Sequence, residues 1–309
     1  MSGKTTALPA DGAEKRALIT GIHGFTGRYM AQVLADAGYR VFGTVLSAKD
    51  SGGDLVAVDL ADLDAVARMV EAVQPDVVVH LAAIAFVAHA DVEAIYRVNI
   101  VGTRNLLTAL ASLAKKPSAV LLASSANIYG NTDVEPITED VMPAPANDYA
   151  VSKLAMEYMA RLWMDRLPVM LVRPFNYTGL GQHENFLLPK IVSHFRSGAR
   201  DIELGNLNVA RDFSDVRMVT DSYGKLVALG DAAAGHTFNI CSGVAYTLQQ
   251  VLDLMADIAG YRINVHVNPA FVRGNEVARL VGSNAKLQVH TGPLALRPLE
   301  ETLRWMYAG

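Results

Sequence analysis

Tyr149 and Lys153 stand four positions apart in Tyr149-Ala150-Val151-Ser152-Lys153, so on a helix they share one face. A phenol beside an ammonium is a proton-transfer pair, because the positive charge favours phenolate and draws the Tyr pKa down from about 10. Such a phenol can pass its proton to a carbonyl oxygen while hydride arrives at carbon, help worth about 10²–10⁴ in rate. Ser125, in Ser124-Ser125-Ala126-Asn127-Ile128-Tyr129-Gly130, follows a strand-like run. A hydroxyl at a strand's C-terminal end lies where α/β proteins build their sites, and it can bond the same carbonyl oxygen. Upstream, Gly21-Ile22-His23-Gly24-Phe25-Thr26-Gly27 forms a G-x-x-G-x-x-G turn between a strand pattern and a helix pattern. Gly21 permits the tight turn, Gly24 lets the backbone approach a pyrophosphate, and Gly27 lets helix and strand pack closely. The helix N-terminus stabilises the negative charge.

The elements that must hold these groups alternate. Ala17–Gly21, Val41–Val45, Leu55–Val58, Val77–Leu81, Val120–Ser124 and Val169–Val172 are strand-like, short and bounded by turn residues. Tyr29–Ala37, Leu63–Val73, Val92–Leu113 and Tyr149–Leu167 have helical period. Strand then helix, repeated, predicts an α/β fold: a doubly wound parallel sheet with helices on both faces. The rhythm breaks after Arg173-Pro174, with one helix at Leu188–Ser197, and a strand near His236–Ile240 could rejoin the sheet. We therefore expect a flexible arm at 1–15 and a nucleotide-binding domain from 16–172 plus about 213–241. A smaller α/β substrate lobe is expected from 173–212 plus 242–309.

The chain's 309 residues carry a formal charge of −4, which argues against nucleic acid or an anionic membrane surface as partner. Hydrophobic residues make up 51%, enough for a large core and too many for global disorder. The one cysteine, Cys241, excludes an intramolecular disulfide and fits a reducing, cytoplasmic setting. Val77–Ala88 is the most apolar stretch, too short for the ~20 residues that cross a bilayer. The eight His residues do not cluster at metal-ligand spacings, so no metal is expected. His80 and Cys241 read as buried core residues; His183 could line a pocket.

The acid that would bond a ribose should lie about 20 residues beyond the glycine turn. Val45-Leu46-Ser47 stands there instead. This leans toward NADPH over NADH, with Arg28 or Lys49 as 2′-phosphate partners or as plain surface charges. Asp59 suits an adenine amino group, while Asp59 or Asp62 as a helix N-cap is the competing reading.

Gly21–Gly27, Asp59, Asn99 in Val98-Asn99-Ile100-Val101-Gly102-Thr103, Ser125, Tyr149 and Lys153 resemble the extended short-chain dehydrogenase/reductases that act on nucleotide sugars. The resemblance covers nearly the whole chain beyond residue 16. It implies a Rossmann sheet with cofactor contacts at Gly21, Gly24, Phe25, Thr26, Gly27, Arg28, Asp59, Leu60, Leu81, Ala82, Ala83 and Asn99, besides Tyr149 and Lys153. Arg173-Pro174-Phe175-Asn176 resembles the turn where Asn meets the sugar diphosphate. Leu204-Gly205-Asn206-Leu207, Arg211-Asp212-Phe213-Ser214-Asp215-Val216, Arg273 and Glu276 resemble the GDP-sugar branch. There Arg211 and Arg273 would clamp phosphates and Glu276 would bond a ribose. Phe86, Ser125, Asn127, Asn176, Asn185, Lys190 and Asn206 complete the implied substrate contacts.

Asn127 narrows the implied chemistry. The family's 4,6-dehydratases carry Glu at this place and its GDP-fucose-forming epimerase-reductases carry Cys. An amide can do neither base's work, so simple ketone reduction survives. The resemblance implies hydride transfer from NAD(P)H to the 4-keto group of a GDP-4-keto-6-deoxy sugar, by a homodimer paired through helices such as Val92–Leu113 and Tyr149–Leu167. Ala83-Ile84-Ala85-Phe86-Val87 is less polar than the family pattern and could admit a deoxy-heptose. A 4-epimerase with retained NAD shares the same triad, and a non-catalytic NAD(P)-binding regulator is the reading from another class. Met156, Met159, Trp163 and Met164 form an apolar stripe that reads as core.

Overall fold

The structure, a computed structural model, describes residues 14–85, 91–207, 209–271 and 279–309. The expected N-terminal arm, Phe86, Arg273 and Glu276 therefore lie outside the described residues, apart from Glu14 and Lys15 of the arm. The chain runs β1 (Arg16–Thr20), α1 (Phe25–Asp36), β2 (Arg40–Val45), β3 (Leu55–Ala57), α2 (Leu63–Val73) and β4 (Val77–His80). Next come α3 (Val92–Tyr96), a π-helical turn (Arg97–Gly102), α4 (Thr103–Ser112), β5 (Ala119–Ala123), a 3-10 turn (Ala126–Tyr129) and α5 (Asp148–Arg161). After β6 (Val169–Pro174) follow β7 (Asn176–Thr178), α6 (Leu187–Arg196), β8 (Asp201–Leu204), β9 (Ala210–Asp215), α7 (Val216–Leu229) and β10 (Thr237–Ile240). The chain closes with β11 (Ala245–Thr247), α8 (Leu248–Ala259), β12 (Asn264–Val267), β13 (Arg279–Leu280), α9 (Ala285–Thr291) and α10 (Leu299–Ala308).

A seven-stranded sheet has the order β10-β6-β5-β4-β1-β2-β3, and every pairing in it is parallel. Its strands are apolar on both sides because both sides are covered. Ala17, Ile19, Val77 and Val79 pack into one cluster with Met30, Leu34 and Tyr223 from α1 and α7. Leu18, Val78, Val120 and Leu122 point the other way, into a cluster with Val66, Leu106 and Met156 from α2, α4 and α5. This period-2 alternation between two buried layers is the doubly wound architecture. β10 rejoins the sheet beside β6, as the run at 236–240 predicts.

Chain order reverses at β1, which lies between β2 and β4. The crevice beyond the strand ends at such a switch point is where α/β sheets bind ligands. Beside it, β9 pairs with β7, β11 and β13. A third apolar cluster joins α6, α8 and α10 through Ile191, Phe195, Val251, Met255 and Leu303.

Two helices depart from expectation. The segment read as one helix at 92–113 widens into the π turn at 97–102, where the Thr103 hydroxyl donates to the Asn99 carbonyl at 2.8 Å and so enters the backbone ladder. α5 ends at Arg161 rather than Leu167, since Pro168 disfavours helix in the residue before it. Met156 and Trp163 are buried while Met159 and Met164 pack on the core, so that stripe is core. Val151, Tyr158 and Leu162 of the same segment are exposed, as is Val101 of the π turn.

Candidate active site

The glycine turn follows β1 directly. Gly21 adopts φ 72°, and a Cβ there would meet Ala82 Cα at 3.0 Å. A Cβ on Gly27 would overlap the carbonyls of Gly21 and Ile22, so the helix can start only on glycine. α1 begins on Gly24 with no side-chain cap and no acidic residue in its first turn. Its first N–H groups therefore form an electropositive end suited to a diphosphate. Leu81 and Ala82 are laid against this turn by Thr20, whose hydroxyl accepts from both backbone N–H groups at 3.1 Å.

His80 carries that tether deeper. Its Nδ1 pairs with Thr20 Oγ1 at 2.7 Å and its Nε2 with Thr103 Oγ1 at 2.8 Å. Burial drives its pKa down to about 3, so it is a neutral core residue, as expected. Asn99, also buried, accepts from Ile84 N at 2.9 Å and donates to Ser152 Oγ at 3.0 Å. It thus clamps the 81–85 segment to α5, whose Ser152 in turn donates to the Tyr149 carbonyl at 2.7 Å.

Ser125, Tyr149 and Lys153 come together at the end of β5. The Asn147 side chain caps α5, which sets Tyr149 in the first turn with its phenol hydrogen-bonded to Ser125. Ser125 Oγ also accepts from Asn127 N at 3.2 Å. The neighbouring Ser124 hydroxyl is buried with no partner among the described residues. Lys153 is buried too; its ammonium donates to the Ala123 carbonyl at 2.8 Å and lies 6.0 Å from the Tyr149 ring centre.

The expected lowering of the phenol pKa is corrected here. Burial pushes Tyr149 up to about 12 against the opposing Ser125 hydrogen bond. Burial also brings Lys153 down to about 8, with Glu157 pulling the other way. Desolvation opposes the charged form of each group, and the ammonium is turned to a carbonyl rather than to the phenol. At pH 7 the unliganded site thus presents a protonated phenol, a proton donor rather than a base.

The other expected residues divide. Asp59 is exposed, accepting from Ala61 N at 2.9 Å and pairing with Arg97 at 3.3 Å; Asp62, not Asp59, caps α2. Leu60 is buried, with its carbonyl taken by Asn105 at 2.9 Å. Arg28 donates to the Gly181 carbonyl at 2.8 Å, facing the segment after β7, which leaves Lys49 as the cation in the turn after β2. Asn176 opens β7 beside Tyr177. Lys190 donates to the Glu203 carbonyl at 2.8 Å and covers the Phe271 ring at 4.8 Å. Asn206 follows β8 in a half-buried loop, and Arg211 on β9 donates to the Ala210 carbonyl at 2.9 Å. The Asn185 N–H donates to His183 Nδ1 at 3.1 Å, both residues exposed. Cys241 is buried in a small apolar cluster, its thiol pushed far up by burial.

Two groups escaped the sequence reading. Tyr177 bonds Thr26 at 2.7 Å and stacks on Phe25, a pairing no local pattern announces. Glu157 holds Arg173 in a buried two-point pair at 2.7 and 2.9 Å; its spacing of four from Lys153 was the available signal.

A parallel sheet opening on this glycine turn, with Ser, Tyr and Lys converging past its strand ends, defines a short-chain dehydrogenase/reductase of the extended type. A family model described as GDP-mannose 4,6 dehydratase matches residues 18–306, and the chain belongs to that family. It is 34% identical to the GDP-6-deoxy-D-talose 4-dehydrogenase of Aggregatibacter actinomycetemcomitans, covering 87% of this chain and 89% of the relative. It is 32% identical to the GDP-6-deoxy-D-mannose reductase of Pseudomonas aeruginosa, covering 94% and 95%. Among solved structures, RMD from Pseudomonas aeruginosa complexed with NADPH has a TM-score of 0.83 at 31% identity, covering 95% of this chain and 98% of that one. One from Burkholderia cenocepacia J2315, described as an epimerase candidate, has a TM-score of 0.89 at 55% identity, covering 95% and 97%.

Proposed function

We propose that the chain is an NAD(P)H-dependent reductase that delivers hydride to the 4-keto group of a GDP-4-keto-6-deoxy sugar. GDP-4-keto-6-deoxy-D-mannose, giving GDP-D-rhamnose, or a related deoxy-heptose would be the substrate. The observation that carries this reading is the protonated Tyr149 phenol bonded to Ser125, with Asn127 where an eliminating base would stand. The uncapped start of α1 and the glycines that bring backbone close to it fit a dinucleotide diphosphate. A nicotinamide held there would supply the hydride. Ser125 and Tyr149 hold the carbonyl oxygen, and Tyr149 gives it the proton as charge develops. The Lys153 ammonium, two turns from no carboxylate contact of its own, swings from the Ala123 carbonyl toward the nicotinamide ribose and phenol. Asn176 and Arg211, with Arg273, take the sugar diphosphate.

The test is direct. GDP-mannose, a GDP-mannose dehydratase and NADPH should together yield a GDP-6-deoxyhexose with NADPH oxidised. This protein alone with GDP-mannose and NAD(P)⁺ should yield no 4-keto-6-deoxy product, because Asn127 cannot take the proton that elimination requires. Appearance of that product would overturn the reading.

The Burkholderia relative supports a second reading, a 4-epimerase with retained NAD. Such an enzyme would purify with nicotinamide bound and leave added NADPH unconsumed.

NADPH is the preferred cofactor in this reading, since no acid ends β2 and Lys49 follows it. Solved neighbours carry NADPH or NAD. Lys49→Ala is expected to raise the NADPH KM several-fold and to leave the NADH KM nearly unchanged; equal wild-type KM values would sink the preference. Cofactor binding falls to 16–172 with 213–241, and the sugar nucleotide to 173–212 with 242–309. Among the described residues no helix is long and apolar enough to cross a membrane. We place the enzyme in the cytoplasm as a homodimer, joined over the exposed Val151, Tyr158 and Leu162 and the neighbouring Val101. A monomer mass in light scattering at micromolar concentration would count against the dimer.

A further inference from the structure

We propose that Tyr177 is a positioning residue that couples the cofactor site to the sugar-diphosphate site, an inference that rests on the reductase reading above. Three ties fasten the start of α1 to the segment leaving β7. The Tyr177 hydroxyl and Thr26 Oγ1 are 2.7 Å apart, Tyr29 donates to the Leu180 carbonyl at 2.7 Å, and Arg28 donates to the Gly181 carbonyl at 2.8 Å. The Tyr177 ring stacks on Phe25, with centres 6.0 Å apart and planes at 16°.

The segment is also closed on itself. Gln182 takes the Thr178 hydroxyl at 2.7 Å and donates to the Tyr177 carbonyl at 3.3 Å. Residues 177–182 therefore move as one piece. Phe25 and Thr26 belong to the helix start that faces the cofactor diphosphate, and Asn176, next to Tyr177, faces the sugar diphosphate. One side chain thus spans the two anion sites. Whichever nucleotide binds first orders both ends of the tie, and the second meets a segment whose ordering entropy is already lost. The result is positive coupling between the ligands, reciprocal by thermodynamic necessity.

GDP binding measured by calorimetry, with and without saturating NADPH, reads this coupling without turnover. In the wild type, NADPH should lower the Kd of GDP at least about fivefold. In Tyr177→Phe, which keeps the stacked ring, that ratio should fall below about twofold while GDP affinity without NADPH stays near wild type. Tyr29→Phe, which cuts the second tie outside both sites, should give an intermediate ratio, and it carries the test if Tyr177→Phe loses its cooperative melt. A wild type that binds both ligands with no coupling, or variants that keep the wild-type ratio, would overturn the latch and leave the reductase standing. A wild type that binds neither would overturn both.

Discussion

Tyr149→Phe is expected to lower kcat for ketone reduction by about 10²–10⁴ while the protein folds and melts as before. The phenylalanine keeps the buried ring and removes only the hydroxyl that Ser125 bonds. The oxygen of the substrate would then meet the Ser125 hydroxyl alone, so negative charge developing on it would find no proton. Ser125→Ala should cost less, since Tyr149 still reaches the oxygen. The pH profile adds a sign. With its pKa pushed up to about 12, Tyr149 stays protonated throughout the working range and imposes no loss below pH 10. Lys153, brought down to about 8, is ammonium below that pH and amine above it. The rate should therefore hold on the acid side of about 8 and fall as pH rises through it, because the cation near the reacting oxygen and cofactor ribose is lost. Near-normal turnover in Tyr149→Phe would refute the mechanism.

How much of this could be read from residues in order depends on distance along the chain. The glycine turn, the strand-helix alternation and the spacing of Tyr149 and Lys153 are local patterns, and local geometry obeys them. The Asn99 amide could be assigned to a cofactor by resemblance, yet in the structure it holds Ile84 and Ser152. That role depends on a crossing of two segments which no periodicity encodes. The direction of the Tyr149 shift escaped for a related reason. An ammonium four residues away is visible in sequence, but the burial that outweighs it comes from the sheet, the 81–85 segment and the loop after β6. The π turn at 97–102 likewise needs the Thr103 hydroxyl to find the Asn99 carbonyl. Arg173 was legible as part of a motif, and its partner was not.

That partner sets the second large expectation, on stability. Arg173 and Glu157 are 3% and 0% exposed and joined at 2.7 Å. Arg173 also donates to the Tyr129 hydroxyl at 2.8 Å and the Glu139 carbonyl at 3.1 Å, while Tyr129 donates to Asn239 at 2.7 Å. The cluster ties α5, two turns beyond Tyr149, to β6, to β10 and to the turn that carries Asn127. Glu157→Ala would leave a guanidinium buried without its counter-charge, a defect that typically costs about 3–5 kcal/mol. The melting temperature should fall by roughly 10 °C or more, at about 2–4 °C per kcal/mol for a chain of this order of size. The pair itself is a different quantity. Its attraction is set against the cost of removing two charges from water, so an apolar replacement of similar volume is often neutral or stabilising. Arg173→Met combined with Glu157→Leu should therefore regain most of the lost melting temperature, although Tyr129 and the Glu139 carbonyl lose a donor. The regain separates an orphaned charge from a cavity, because a cavity left by Glu157→Ala would not be mended by removing the arginine as well. If Glu157→Ala melts within about 1 °C of wild type, water reaches Arg173 on opening and the cluster does not anchor α5. If the double variant is the less stable of the two, the pair contributes net attraction, and the charges hold the helix that presents Tyr149 and Lys153.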